Sequence, residues 1–376
     1  MAPLTSPLLV ATSVQLQALL ARLQAKSAVA VDTEANSLYA YTERVCLVQI
    51  SIPGADFLID PRSTAIDLSP LRAVFADPSI EKVFHACEYD VISLRRDFDF
   101  TFANLFDTMW AARILGWPRV GLADILKEHF GVTLDKRWQR YNWGQRPLPR
   151  EALAYARLDT HYLLPLRDLQ LRELRERERL EEAREVFADL AQSAAATRAE
   201  AERADGFWRV KGVYDLEPLG RALLRELYLY REREARRLDR PPFKVISDQT
   251  LLAIAGVRPT QLDQLRRVPG LSAAQAERHG SSLLQAVARG KQAMPPDPPP
   301  RKGIDPAVLD RYERLREWRK QAAAERGVEA DVIVSNATLM ALAHRRPRAL
   351  DDLQGIDGLG PWRRRTYGQA ILEILR

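Results

Sequence analysis

The chain has 376 residues, 46% of them hydrophobic and 28% charged, with two cysteines and a net charge of +6. This length calls for two or three domains, and the composition is that of folded globular protein rather than a disordered or fibrous chain. Cys46 and Cys87 are too few for a disulfide framework or a thiolate metal cluster and suit a reducing, cytoplasmic setting; no apolar run is long enough for a membrane-spanning helix, and the first residues lack the basic start of a secretion signal.

In chain order, Val14 to Leu23 has the apolar spacing of a helix. A strand, Val29-Ala30-Val31-Asp32-Thr33-Glu34, follows. Arg44 to Ile52 and Asp56 to Ile59 read as a hairpin around Pro53-Gly54. Pro70 to Phe75 is expected to be helical, Glu81 to His85 a short strand and Cys87 to Asp97 a helix. Leu105 to Leu115 and Gly121 to Phe130 read as two further helices. Strands followed by strand–helix alternation predict an α/β layer structure with a mixed central sheet. From Pro149 a helical stretch runs to Leu190, dense in Arg and Glu at three- and four-residue spacings, with Pro165 expected to kink or restart it. The Ala-rich segment Ala191 to Ala204 reads as a linker.

The remainder contains a repeat. Adding 88 to a position between 230 and 271 brings Arg231 onto Arg319, Ser247 onto Ser335, Thr250-Leu251 onto Thr338-Leu339 and Gly270-Leu271 onto Gly358-Leu359, without a gap. Two copies of one small helical domain are expected, each with a Ser-capped helix and a glycine turn before its last helix. A stiff spacer, Met294-Pro-Pro-Asp-Pro-Pro-Pro300, separates them. Residues 206–376 carry 31 Lys and Arg against 21 Asp and Glu, the balance of a polyanion-binding surface. Arg345-Arg346 and Arg363-Arg364-Arg365 are its candidate contacts.

Four stretches carry the chemistry. Side chains two apart in a strand share a face, so Asp32 and Glu34 project together. Two carboxylates so placed repel unless a cation neutralises them, and hard divalent ions suit an all-oxygen site. Asp90 falls in the first turns of a helix, where an acid suits the macrodipole. Tyr155 and Asp159, four apart on a helix, lie on one face. Between these lies the loop from Asp135 to Leu148, with Lys136, Arg140, Trp143 and Arg146. Any one of these stretches alone is more simply a solvated or packing feature; their order is what matters.

In that order they resemble the DEDD family of 3′→5′ exonucleases, its tyrosine-bearing branch and, within it, the ribonuclease D family. Asp32 and Glu34 match the first motif, Asp90 the second, and Tyr155 and Asp159 the third. Lys136, Arg140, Trp143 and Arg146-Pro147-Leu148 match the loop before the third motif, and the repeat resembles tandem HRDC domains. Cys87-Glu88-Tyr89 departs from the second motif, and Glu88 is a rival to Asp90. The resemblance implies a ribonuclease H-like α/β exonuclease domain (1–190), a linker (191–206), a first all-α HRDC-like domain (207–291), a Pro-rich linker (292–303) and a second HRDC-like domain (304–376). It also implies two-metal hydrolysis with Mg²⁺ or Mn²⁺ on Asp32, Glu34, Asp90 and Asp159, and Tyr155 orienting the attacking water.

The expected activity is a 3′→5′ exoribonuclease that trims structured RNA such as transfer-RNA precursors to nucleoside 5′-monophosphates, working as a monomer with no obligate protein partner. Leu38, Tyr39, Tyr41 and Trp143 are candidates to wedge terminal bases, His85 to touch the last nucleotide, and Lys136, Arg140 and Arg146 to meet phosphates. The same four-acid site serves DNA, so an exodeoxyribonuclease is the alternative. A non-catalytic RNA-binding protein is the third reading, opposed by the presence of all four acids. No helicase P-loop pattern occurs.

Overall fold

The computed structural model describes residues 6–192, 205–299 and 303–376. The chain divides into two compact units. One comprises residues 1–35, 45–194 and 303–376; the other comprises 36–44 and 195–302.

The first unit is built on a six-stranded mixed sheet in the order β1-β4-β3-β2-β5-β6. Its strands are β1 (Leu8–Val10), β2 (Ala28–Ala35), β3 (Val45–Ile52), β4 (Ala55–Ile59), β5 (Glu81–Phe84) and β6 (Leu105–Asp107). β2–β3 and β3–β4 are antiparallel; β1–β4, β2–β5 and β5–β6 are parallel. Every residue of β3 is buried, as expected of a strand covered on both faces. Two strands differ from expectation. Leu8–Val10 pairs with β4, and Leu105–Asp107 is a strand rather than the start of a helix. Both are three residues long, too short for a periodic signal; their neighbours in the sheet decide them.

The helices on this sheet are α1 (Ser13–Gln24), α2 (Leu71–Ala76), α3 (Glu88–Phe98), α4 (Thr108–Leu115), α5 (Leu122–Phe130), α6 (Arg150–Ala156), α7 (Leu158–His161), α8 (Leu163–Glu176) and α9 (Leu180–Ala191). A capping box at Thr12 and Gln15 starts α1. The expected long helix is thus four pieces. Its first breaks fall at Arg157 and Tyr162, and Pro165 sits harmlessly in the first turn of α8, where its missing N–H costs nothing.

The second unit holds the first repeat: α10 (Pro218–Arg237), α11 (Pro242–Val245), α12 (Asp248–Val257), α13 (Leu262–Arg266) and α14 (Ala273–Gln292). Residues 36–44 fold with it. Asp239 accepts from the Tyr41 backbone N–H at 3.0 Å, and the Lys244 ammonium lies 3.9 Å from the centre of the Tyr39 ring. The second repeat, α15 (Pro306–Arg326), α16 (Ala330–Ile333), α17 (Asn336–Arg345) and α18 (Pro361–Leu375), belongs to the first unit. The two copies agree atom for atom at their caps. Ser247 and Ser335 accept from the N–H groups of Thr250 and Thr338 at 3.1 and 3.0 Å. Gly270 and Gly358 have positive φ, and a Cβ on either would strike the Thr250 or Thr338 hydroxyl, so glycine is required there. The expected linker falls outside the described residues from 193 to 204, and the end of the Pro-rich spacer from 300 to 302.

The second repeat is bound to α9 through charges taken out of water. Glu182, fully buried, takes both terminal nitrogens of Arg326 at 2.8 and 2.5 Å. Glu185 accepts from the N–H groups of Trp362 and Arg363 at 2.6 and 3.3 Å, at the N-terminus of α18 where the helix dipole favours an anion. The cap residue is Gly360, and a Cβ there would collide with the Glu185 carboxylate. This corrects one sequence reading. Arg363 is 5% exposed, and its guanidinium bonds Glu185 and the carbonyls of Ile333 and Val332; Arg365 meets Glu181 at 2.6 Å. Arg363 is not a free phosphate contact, because α9 supplies an acid that no local pattern could place opposite it; Arg365, in an exposed pair, stays on the surface.

Candidate active site

Asp32 pairs across the sheet with Gln49, and Ala30 with Ser51. Cross-strand partners share a face, so one face of β2 and β3 presents Asp32, Glu34, Gln49 and Ser51. A register irregularity between Glu34 and Ala35 falls just after these acids. α7 packs over the same two strands and brings Asp159 to them.

Asp90 comes from the β5–α3 turn. Ala86 adopts a left-handed conformation (φ 61°), and the Cys87 N–H donates to the buried Asp107 carboxylate at 2.7 Å. That fixes where α3 begins. The Thr33 hydroxyl then donates to Asp90. Asp90 is 6% exposed, whereas Glu88 points outward. Of the two rivals, Asp90 is the one brought to the other acids.

The electrostatics are those of crowded, uncompensated anions partly or wholly withdrawn from water. Burial first, then Asp90, Asp159 and Glu34, hold Asp32 well above the usual carboxylate range. Burial, Asp159 and Asp90 do the same to Glu34. Asp90 is raised to about 7, chiefly by burial, and Asp159 to about 8 by burial and then by Asp90. Tyr155, 7% exposed, has its phenol pushed up by burial and by Asp159, Glu34 and Asp32. It therefore stays protonated through neutral pH in the metal-free site. No Arg, Lys or His among the described residues forms an ion pair with any of the four acids. The Gln49 amide, in the row of Asp32, is buried without a partner for its nitrogen or oxygen.

Four hard oxygen donors that raise one another's pKa, with an orphaned amide beside them, fit divalent cations. As placed, no three His, Cys, Asp or Glu side chains among the described residues converge as a ready-made cage.

The expected substrate residues divide. Trp143 is 1% exposed and packs beside Tyr155, ring centroids 6.4 Å apart. It cannot wedge a base, because its faces are spent on the core behind the phenol. Arg146 is spent too: its guanidinium meets Asp60 at 2.7 Å twice and the carbonyls of Cys46, Trp143 and Gln145. It pins the loop to β3 and to the end of β4 rather than facing phosphate. Lys136 and Arg140 lie exposed on a single 3₁₀ turn (Lys136–Arg140). His85 bonds Thr108 at 2.9 Å through Nδ1. The Thr108 hydroxyl donates to the Phe84 carbonyl, so Nδ1 carries the proton and Nε2 is left as an acceptor. Leu38 (41% exposed), Tyr39 and Tyr41 lie in the segment that folds with the second unit. The sequence reading missed Thr33, Gln49 and Asp107. Gln49 had one available signal, an amide in an otherwise apolar strand.

A family model described as a 3′-5′ exonuclease matches residues 7–175, and an HRDC domain model matches residues 220–287 and 308–375. The chain is 32% identical to "Ribonuclease D" of Acidiphilium cryptum over 98% of its own length and 93% of that protein. It is 34% identical to "Exosome complex exonuclease RRP6" of Saccharomyces cerevisiae, over 68% of this chain and 37% of that one. Among solved structures, Escherichia coli RNase D, titled an exoribonuclease involved in structured RNA processing, matches with a TM-score of 0.71 at 25% identity, covering 99% of each chain.

Proposed function

The chain belongs to the ribonuclease D family of 3′→5′ exonucleases, and on that premise we propose that it removes nucleotides from the 3′ ends of structured RNA such as transfer-RNA precursors, by hydrolysis assisted by two Mg²⁺ or Mn²⁺ ions. The observation that carries this reading is the set of four acids, Asp90 and Asp159 buried and Asp32 and Glu34 half-buried, each held above its usual pKa with no protein cation among the described residues paired to it.

These four residues would hold the metal. When bound, it supplies charge stabilisation at the attacking and leaving oxygens of the phosphodiester. The chain's own residues do the rest. Tyr155, protonated and backed by Trp143, orients the attacking water by hydrogen bonding; the packed indole keeps other water from that side. His85 Nε2, an acceptor, suits a ribose hydroxyl. Lys136 and Arg140 offer positive charge to the RNA backbone. The domain division proposed is the catalytic domain over 1–190 and HRDC-like domains over 207–291 and 304–376; both HRDC matches fall inside the latter two ranges.

The test is turnover on 5′-labelled RNA and matched DNA with Mg²⁺ or Mn²⁺. Stepwise shortening of RNA with release of 5′-monophosphates is expected. DNA cleaved faster than RNA would redirect the reading to an exodeoxyribonuclease, and no turnover with either metal would refute it.

A further inference from the structure

The helical run bearing Tyr155 and Asp159 breaks at Arg157 and again at Tyr162, ahead of its only proline. A buried polar cluster beneath accounts for the break. Asp56 on β4 is 4% exposed. Its carboxylate accepts from Ser51 Oγ at 2.7 Å and from Arg157 Nη2 at 2.6 Å, and His161 Nδ1 lies 2.9 and 3.0 Å from its two oxygens. The Thr160 and Ser51 hydroxyls are 2.7 Å apart. Arg157, Thr160 and His161 stand two residues before, one after and two after Asp159. The segment is thus tied down on both sides of that acid.

The sheet register shows what the tie achieves. Ala30, Ser51 and Asp56 form one row across β2, β3 and β4. Asp32 and Gln49 form the next row on that face, two residues or about 7 Å along the strands. Ala30, with its small side chain, leaves room for α7 above the first row. The cluster therefore anchors α7 one row short of Asp32, and Asp159 lies between the anchors. A buried carboxylate stripped of its partners is strongly unfavourable, so Asp56 is satisfied only while the helix stays broken in this way.

We propose that Asp56 is the positioning residue for Asp159: through Arg157 and His161 it fixes the α6–α7 break that holds the Asp159 carboxylate over the row of Asp32. The inference rests on Asp159 being a metal ligand. Groups that hold a ligand in place typically matter tenfold to a hundredfold for metal affinity or activity. Asp56→Asn keeps the shape and an acceptor oxygen but removes the carboxylate on which Arg157 and His161 converge.

The experiment titrates Mn²⁺ into the full-length protein by calorimetry and by the electron paramagnetic resonance of free Mn²⁺, with kcat, KM for RNA and Tm measured alongside. Asp56→Asn should weaken Mn²⁺ binding about tenfold and lower kcat by a similar factor, with KM within about twofold. His161→Gln should do the same more mildly. A lower Tm with unchanged Mn²⁺ affinity and kcat would mean Asp56 merely stabilises the fold, and overturns the proposal. If Asp56→Asn does not fold, His161→Gln and Ser51→Ala carry the test, and unchanged Mn²⁺ affinity in both overturns it. Asp159→Asn is the control. If it leaves Mn²⁺ binding intact, the assignment of Asp159 itself fails. If it weakens binding and folded Asp56→Asn does not, only the positioning role fails.

Discussion

Asp90→Asn should stabilise the metal-free protein while destroying its activity. Asp90 is buried, and burial first, then Asp107, raises its pKa from 3.8 to about 7 against the pull of Thr33. A carboxyl whose pKa is higher folded than unfolded contributes its full stability below the unfolded value and loses it as the pH rises through the folded one. The loss therefore runs from about pH 4 to pH 7. At 1.36 kcal/mol per tenfold change in acidity, it amounts to on the order of 4 kcal/mol at pH 8. Asparagine carries no charge, and its carbonyl still accepts from Thr33, so the variant escapes the loss. In metal-free buffer at pH 8 its Tm should exceed that of the wild type by about 10 °C. At pH 5 the advantage should shrink to less than about 2 kcal/mol. Saturating Mn²⁺ should narrow the gap at pH 8, because metal stabilises the wild type more strongly. The assay is thermal unfolding followed by circular dichroism in chelator, at pH 5 and 8. A variant no more stable than the wild type at pH 8, or an advantage independent of pH, would refute the view of Asp90 as an uncompensated buried anion.

Tyr155→Phe should lose on the order of 10²-fold in kcat while Mn²⁺ affinity stays within about twofold, as expected if the phenol orients water and carries no charge; unchanged turnover would remove Tyr155 from the mechanism. Glu182→Ala strips a buried partner from Arg326 and should cost about 3–5 kcal/mol, read in urea unfolding as a lower midpoint and in limited proteolysis as earlier cleavage within the second repeat. Gly360→Ala should also lower that midpoint by crowding Glu185, whereas Gly303→Ala, where a Cβ meets nothing, should not; equal effects of the two would contradict the tight seat of Glu185. Arg146→Ala should lower stability through the loss of Asp60 and three carbonyl partners. The slope of RNA affinity against salt concentration should stay unchanged, since a residue that does not touch phosphate releases no counterion; a shallower slope would return Arg146 to the RNA.

What the sequence determined by itself was whatever depends on near neighbours. The spacing of Asp32 and Glu34 follows from strand geometry. The matching caps at Ser247 and Ser335 and the two glycine turns follow from residues three to twenty positions away, and the 88-residue repeat needs no structure to be seen. The order of the motifs was enough to reach the family. Only the tertiary structure decided which side chains keep their charge for a ligand and which spend it on the fold. Arg146 is consumed by Asp60, 86 positions earlier, Arg363 by Glu185, 178 positions earlier, and Trp143 by the core behind Tyr155. The break at Arg157 that sets Asp159 in place is written in Asp56, 101 positions away. The physical reason is the same in each case: burying a charge is tolerable only with a partner, and local sequence cannot show which distant segment brings one.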